Sequence, residues 1–177
     1  MELVINSPLQ PTLFKQKIRS NKNVLGNLSI AKPFGFLLGR NSFKAKVDKC
    51  VVCVIEQKKE NKRRNWKVFV QDKHSKLERA GEIIMVSNTK ETLSANATFY
   101  TATFQNLCFE ITKPYMQLGK HESYLYDGHQ QRIASVVTSY TKKPRFKKTV
   151  YVHEDKMFSA GELAFFVVVL NMTLFES

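Results

Sequence analysis

Ser159-Ala-Gly-Glu-Leu-Ala-Phe-Phe-Val-Val-Val-Leu-Asn-Met-Thr-Leu-Phe175 is the stretch on which the fold turns. Its first four residues fit a capping box: Ser159 can bond an orphan amide of the first turn while Glu162 reaches back to the cap. Eight apolar residues, Leu163 to Leu170, follow without a break, and the run continues to Phe175. The three valines favour a strand, but the capping box and a length beyond twelve residues favour a helix. A helix that is apolar all round must be buried all round. Residues 163–175, at about 1.5 Å each, reach roughly 20 Å, short of the roughly 30 Å hydrocarbon core of a bilayer. The segment 159–175 therefore reads as the buried helix of a protein core rather than a membrane anchor.

Everything before it reads as strands. Short runs rich in β-branched and aromatic residues recur between turn signals: Thr12–Ile18, Val24–Ile30, Phe34–Leu38, Ser42–Val47, Cys50–Glu56, Trp66–Gln71, Ala80–Val86, Ala97–Phe104, Leu107–Ile111, Ser123–Tyr126, Gln131–Tyr140 and Phe146–His153. Asp127-Gly128 suits a tight hairpin turn, and residues 57–64 form a charged hairpin tip. There is no linker-like composition, low-complexity block or repeat, so the reading is one domain over residues 1–177. The spacing predicts a mainly β protein, a single antiparallel barrel of about 10–12 strands around the apolar C-terminal helix.

The chain has 177 residues and a formal net charge of +13. The charge is uneven: residues 1–88 hold 18 Lys and Arg against 7 Asp and Glu, and residues 89–177 hold 10 against 8. Such an excess attracts anionic partners, whether nucleic acid, phospholipid headgroups or an acidic protein. Two local clusters stand out. One is Lys142, Lys143, Arg145, Lys147 and Lys148, with Pro144 and Phe146 among them. The other surrounds Lys62, Arg63 and Arg64, with Trp66 beside it. The bland alternative for both is a solvated hairpin tip, since charged tips keep sheet edges from aggregating.

The chain carries no catalytic signature. The histidines His74, His121, His129 and His153 are scattered, and neither a zinc-protease helix motif nor a phosphate-binding glycine loop occurs. Cys50-Val-Val-Cys53 has metal-site spacing, but on a strand positions i and i+3 face opposite sides, so the thiols read as core residues. With Cys108 the cysteines number three, which disfavours a disulfide scaffold and points to a reducing, cytoplasmic location. No signal peptide is legible at Met1-Glu-Leu-Val-Ile-Asn6. The N-x-[ST] triplets at Asn27, Asn96 and Asn171 are discounted, the last because it lies in the apolar helix.

The ending of the chain resembles a known family. Tyr124-Leu-Tyr-Asp-Gly128, Ile133-Ala-Ser-Val-Val137, Thr149-Val-Tyr-Val152 and Glu162-Leu-Ala-Phe-Phe-Val-Val-Val-Leu170 follow the order seen in the tubby C-terminal-like superfamily, which includes LURP-one-related proteins and phospholipid scramblases. The resemblance is clearest over residues 123–175. It implies a twelve-stranded barrel threaded by a hydrophobic C-terminal helix, and for function a basic surface that meets membrane lipid. The lipid-binding residues of that family do not map position by position onto this chain.

The reading is thus a non-enzymatic tubby-like protein, without cofactor or metal, that associates with anionic phospholipid and lies at the periphery of the membrane. The residues expected to carry the contact are Lys142, Lys143, Arg145, Lys147, Lys148, Lys62, Arg63 and Arg64. One alternative is a nucleic-acid-binding barrel that uses Trp66 and Phe69 as stacking platforms. Another is an interaction protein whose charge balances an acidic partner.

Overall fold

A computed structural model describes residues 1–8, 16–31, 42–57, 64–71, 76–114, 121–140, 145–153 and 157–171. Twelve strands close into one barrel. They are β1 (Glu2–Pro8), β2 (Gln16–Ser20), β3 (Asn23–Ala31), β4 (Ser42–Val47), β5 (Cys50–Glu56), β6 (Asn65–Gln71), β7 (Glu78–Met85), β8 (Ala97–Phe104), β9 (Leu107–Pro114), β10 (His121–Asp127), β11 (Arg132–Tyr140) and β12 (Arg145–Val152). Each strand pairs antiparallel with its neighbour in sequence, and β1 pairs with both β2 and β12, so no edge is left open. A short helix, α1 (Thr89–Ala95), joins β7 to β8, and α2 (Ala160–Asn171) closes the described chain.

Strand alternation divides the side chains cleanly. In β4, Phe43, Ala45 and Val47 are buried and Lys44 and Lys46 exposed. In β5, Cys50, Val52 and Val54 face inward, and the Cys53 side lies outward and half-buried. The two thiols of the Cys50–Cys53 pair therefore do not converge.

Helix α2 fills the barrel. Ala164 through Leu170 are each at most 1 % exposed, which satisfies the all-round apolar sequence. The cap is as the sequence predicts: Ser159 Oγ accepts from the Glu162 amide (3.2 Å), and Glu162 accepts from the Ser159 amide (2.8 Å). Phe165 stacks on Phe104 (4.6 Å between ring centres, 6° between planes) and tilts against Phe109 (5.5 Å). Gly161 lets the first turn approach Cys50, whose Sγ would stand 3.4 Å from a Cβ placed there.

The two ends of the barrel differ. The turns 21–22, 48–49 and 105–106 and the loop 127–131 share one end with Met1 and Val152, and α2 enters there. Asn171, at the last turn of α2, reaches toward the opposite end.

Several expectations shift in detail. Phe34–Leu38 and the tail of the apolar run beyond Asn171 lie outside the described residues, as do residues 12–15 of the first predicted run. Strand β1 was not foreseen, because its alternation over Glu2–Pro8 is short. Helix α1 was also missed, although Asn88 and Glu91 form a reciprocal capping box. Asp127-Gly128 is not a two-residue turn. The Asp127 carboxylate instead accepts from the amides of His129 and Gln131, both at 3.0 Å, and Gln130 takes the left-handed conformation (φ 62°). The acidic side chain does the work that glycine was expected to do.

Candidate functional site

The first concentration of charge lies on the outer face of β2, β3 and β4. Alternation sends Ile18, Leu28, Phe43, Ala45 and Val47 into the core and turns Lys17, Arg19, Lys44 and Lys46 to solvent. Register sets them side by side: Lys17 pairs with Asn27, and Asn27 pairs with Lys46. At about 4.8 Å per strand, the backbones of Lys17 and Lys46 are roughly 10 Å apart. The hairpin turns add exposed Lys22 and Lys49 at one end of the same face. Asn21 and Lys22 both have positive φ (46° and 73°), the geometry of the turn that matches strand twist. Val24, 55 % exposed, stands beside Arg19 in the register. Among the described residues from Gln16 to Cys50, Asp48 is the single acid, and none of the six cations is in an ion pair.

The face of β6 to β9 contrasts with it. Arg79 bonds Glu82 at 2.9 Å, Lys67 pairs in register with Glu82, and Glu110 pairs with Thr101. Charge there is balanced within the protein.

The second concentration is inside the barrel, at the end that α2 reaches last. Lys148 and Thr138 are register partners on β12 and β11, and both are fully buried. Ser123 on β10 is buried beside them, opposite Val136. Continuing the Tyr124–Thr112 pairing by one residue sets Ser123 against Lys113 of β9, which is 3 % exposed and pairs with buried Thr98 of β8. Lys148 Nζ donates to Asn171 Oδ1 (2.8 Å), and Asn171 Nδ2 donates to the Val167 carbonyl (2.7 Å). Lys113 Nζ stands 4.2 Å from the centre of the Tyr100 ring, which meets Trp66 at 5.9 Å. Burial, and then the charge of Lys113, push the Lys148 ammonium down to about 7. No carboxylate among the described residues lies within ion-pair distance of Lys148. The hydroxyls of Ser123 and Thr138 are buried without a hydrogen-bond partner.

The described residues among those expected from the sequence, Arg64, Arg145, Lys147 and Lys148, do not form one outer cluster. Lys148 is not part of an outer basic cluster. Alternation along β12 turns it into the barrel with Val150 and Val152, so it cannot meet a membrane from outside. Arg145 and Lys147 lie on β12, paired with Pro8 and Asn6 of β1. Arg64 is engaged at home: it bonds Glu56 through Nε (3.0 Å) and Nη2 (2.8 Å) and lies 5.2 Å over the Trp66 ring. Lys62, Arg63, Lys142 and Lys143 lie outside the described residues. Trp66 is 1 % exposed and Phe69 half-buried, so the proposed stacking platform lacks its tryptophan.

Sequence reasoning missed the outer face because it looked for runs of consecutive charge. In Gln16-Lys-Ile-Arg19 and Phe43-Lys-Ala-Lys-Val47 the cations alternate with core residues, and only pairing of the strands makes a patch. The interior lysines were missed for the converse reason. Lys148 sits in a basic run whose obvious reading is exposure.

Burial also raises the Cys53 thiol above its ordinary value, against the opposing charge of Lys44. Among the described residues no group of three potential metal ligands occurs, and no helix is long and apolar enough to cross a membrane. Comparison with protein-family models, curated proteins and solved structures yields no match for this chain.

Proposed function

We propose that the protein is a non-enzymatic, tubby-like barrel that docks on anionic phospholipid surfaces. The observation that carries the reading is the outer face of β2–β4, where Lys17, Arg19, Lys22, Lys44, Lys46 and Lys49 meet one acid. Each basic residue near an anionic membrane is worth about 1 kcal/mol. Six exposed cations on neighbouring strands and their turns suit a charged surface, and exposed Val24, opposite Arg19 at the turn end, offers an apolar contact. A closed barrel around an apolar helix agrees with the family resemblance.

The test is co-sedimentation with phosphatidylcholine liposomes, with and without about one-third phosphatidylserine. The acidic liposomes should pellet the protein at low salt and release it as salt rises, since exposed charges are screened over about 8–10 Å. Changing Lys17, Lys44 and Lys46 together to Gln should weaken binding roughly 100-fold. Equal pelleting by neutral and acidic liposomes at low salt refutes the reading. Acidic-liposome binding that ignores the triple change removes this face from it.

A further inference from the structure

At the barrel mouth where α2 enters, the chain leaves a cleft of about 390 Å³. It lies between the β8–β9 turn, the loop 127–131 and the first turn of α2. Its walls are largely apolar: Leu107, Phe109, Ile133 and Phe158. The core fixes the inner wall. Phe109 and Ile133 are buried, Phe109 packs on Phe165 and Phe166 at 5.5 and 5.9 Å between ring centres, and Phe158 meets Phe166 edge-on at 5.0 Å. Leu107 is 47 % exposed. A preformed apolar cleft of this size, at the mouth of a barrel and with a few converging polar groups, is the usual form of a small-molecule site. The charged groups in it are acidic. Asp127 and Glu162 both line the cleft, and among its described lining residues there is no lysine or arginine, in a chain that carries 28. The Asp127 carboxylate orders its own loop. The half-buried Glu162 accepts the Ser159 amide and hydroxyl on one oxygen, Oε2, both at 2.8 Å, and is in no ion pair among the described residues. A carboxylate beside apolar walls attracts a cation more strongly than one in open water, because its field is less screened.

We propose that this cleft binds a small organic ammonium ion with an apolar body, its charge drawn to the Glu162 and Asp127 carboxylates and its hydrocarbon part set against Leu107, Phe109, Ile133 and Phe158. The carboxylates select the sign of the ligand, and the apolar walls select its body. The net charge of +13 favours anions over the molecule as a whole, so a preference for a cation must come from the carboxylates of the cleft. Cys108 is a built-in reporter: it lines the same cleft and is exposed, whereas Cys53 is half-buried and Cys50 buried. The cleft uses none of the cations of the outer β2–β4 face, so it stands or falls independently of membrane docking.

The test is protection of Cys108 from iodoacetamide in the whole chain, read by peptide mass at about pH 8, where an alkylamine keeps its proton. Hexylammonium, hexanol and hexanoate share one hydrocarbon chain and differ in charge. Each is titrated into the millimolar range at fixed ionic strength. Hexylammonium should protect Cys108 at concentrations about ten-fold lower than hexanol, the worth of one charge-assisted contact, and hexanoate should protect least. Labelling of Cys53 should not change. Glu162→Gln removes the charge and keeps the capping box, which accepts either residue. It should raise the hexylammonium concentration needed by about ten-fold. Leu107→Ala, at an exposed position, should weaken protection by hexylammonium and hexanol alike. Absence of protection by hexylammonium overturns the proposal. So does equal protection by hexanol or hexanoate, which would leave an apolar cleft without selection for charge, or protection that survives Glu162→Gln undiminished. The comparison of the three ligands needs no variant, so the test stays decisive if a variant does not fold.

Discussion

Replacing Lys148 by Met should flatten the dependence of stability on pH. In the folded protein the Lys148 ammonium is held down to about 7 from its ordinary 10.5, first by burial and then by Lys113. Because the folded value lies below the unfolded one, the unfolded chain binds more protons between them. Stability then rises with pH through that window. Below pH 7 both states hold the proton and the full penalty applies, about 5 kcal/mol at 1.36 kcal/mol per unit. Between pH 7 and pH 9 integration of the two titrations returns about 2 kcal/mol. For a chain of this size that is a rise of roughly 4–8 °C in the unfolding midpoint. Lys148 is wholly buried, so solvent does not screen the effect.

The assay is chemical or thermal unfolding from pH 7 to pH 9 in chloride buffer, wild type against Lys148→Met. Groups that do not interact with Lys148 titrate alike in both proteins and cancel in the difference. Met keeps the length and apolar stem of lysine, and it leaves Asn171 Oδ1 without its donor, at about 1–3 kcal/mol. That loss shifts the whole curve without changing its slope. The expected result is a wild-type curve that climbs by about 2 kcal/mol relative to the variant. Parallel curves would refute the reasoning, because they would mean that Lys148 is charged and satisfied in the folded state throughout.

Two changes test the packing. Phe165→Ala empties the stack on Phe104 and the contact with Phe109, and should cost about 3–5 kcal/mol, read as a fall in midpoint of about 10 °C or more. Gly81→Ala should destabilise by at least about 1–3 kcal/mol in denaturant titration. Its added Cβ would overlap the Thr103 carbonyl, where β7 bulges against Val68 and Phe69. Gly128→Ala, whose Cβ would meet only the Cys108 carbonyl at 3.9 Å, should change stability by less than about 0.5 kcal/mol.

The fold was legible where one local signal carried it. The period-2 runs from Ser42–Val47 to Ala97–Phe104 match their strands because half-buried strands must alternate. The Ser159–Glu162 box marks the start of α2 because orphan amides need those side chains. The loop 127–131 was misread because Asp127 caps it with its carboxylate, and the dipeptide alone does not reveal which partner wins. The candidate sites were less legible because they depend on distant pairing. Lys17 and Lys46 are neighbours only through β3, and Lys148 meets Asn171 only because α2 lies inside the barrel.

The same geometry explains why charge and core separate along the helix. An all-round apolar α2 has no face to offer water, so a two-layer fold would leave one side bare. A closed sheet covers every side at once, and it also forces each inward strand position to face either the helix or its end. From Ala164 to Leu170 the facing residues, such as Phe104, Phe109 and Val54, are apolar. At Asn171 the helix turns polar, and there the barrel wall turns polar too, with Lys113, Ser123, Thr138 and Lys148. A wall built only to hold a helix would stay apolar to the end, because replacing a buried charge with an apolar residue is often neutral or stabilising. Lys148→Met bears directly on that point. If it raises stability at pH 7, the lysine is kept at a cost to folding.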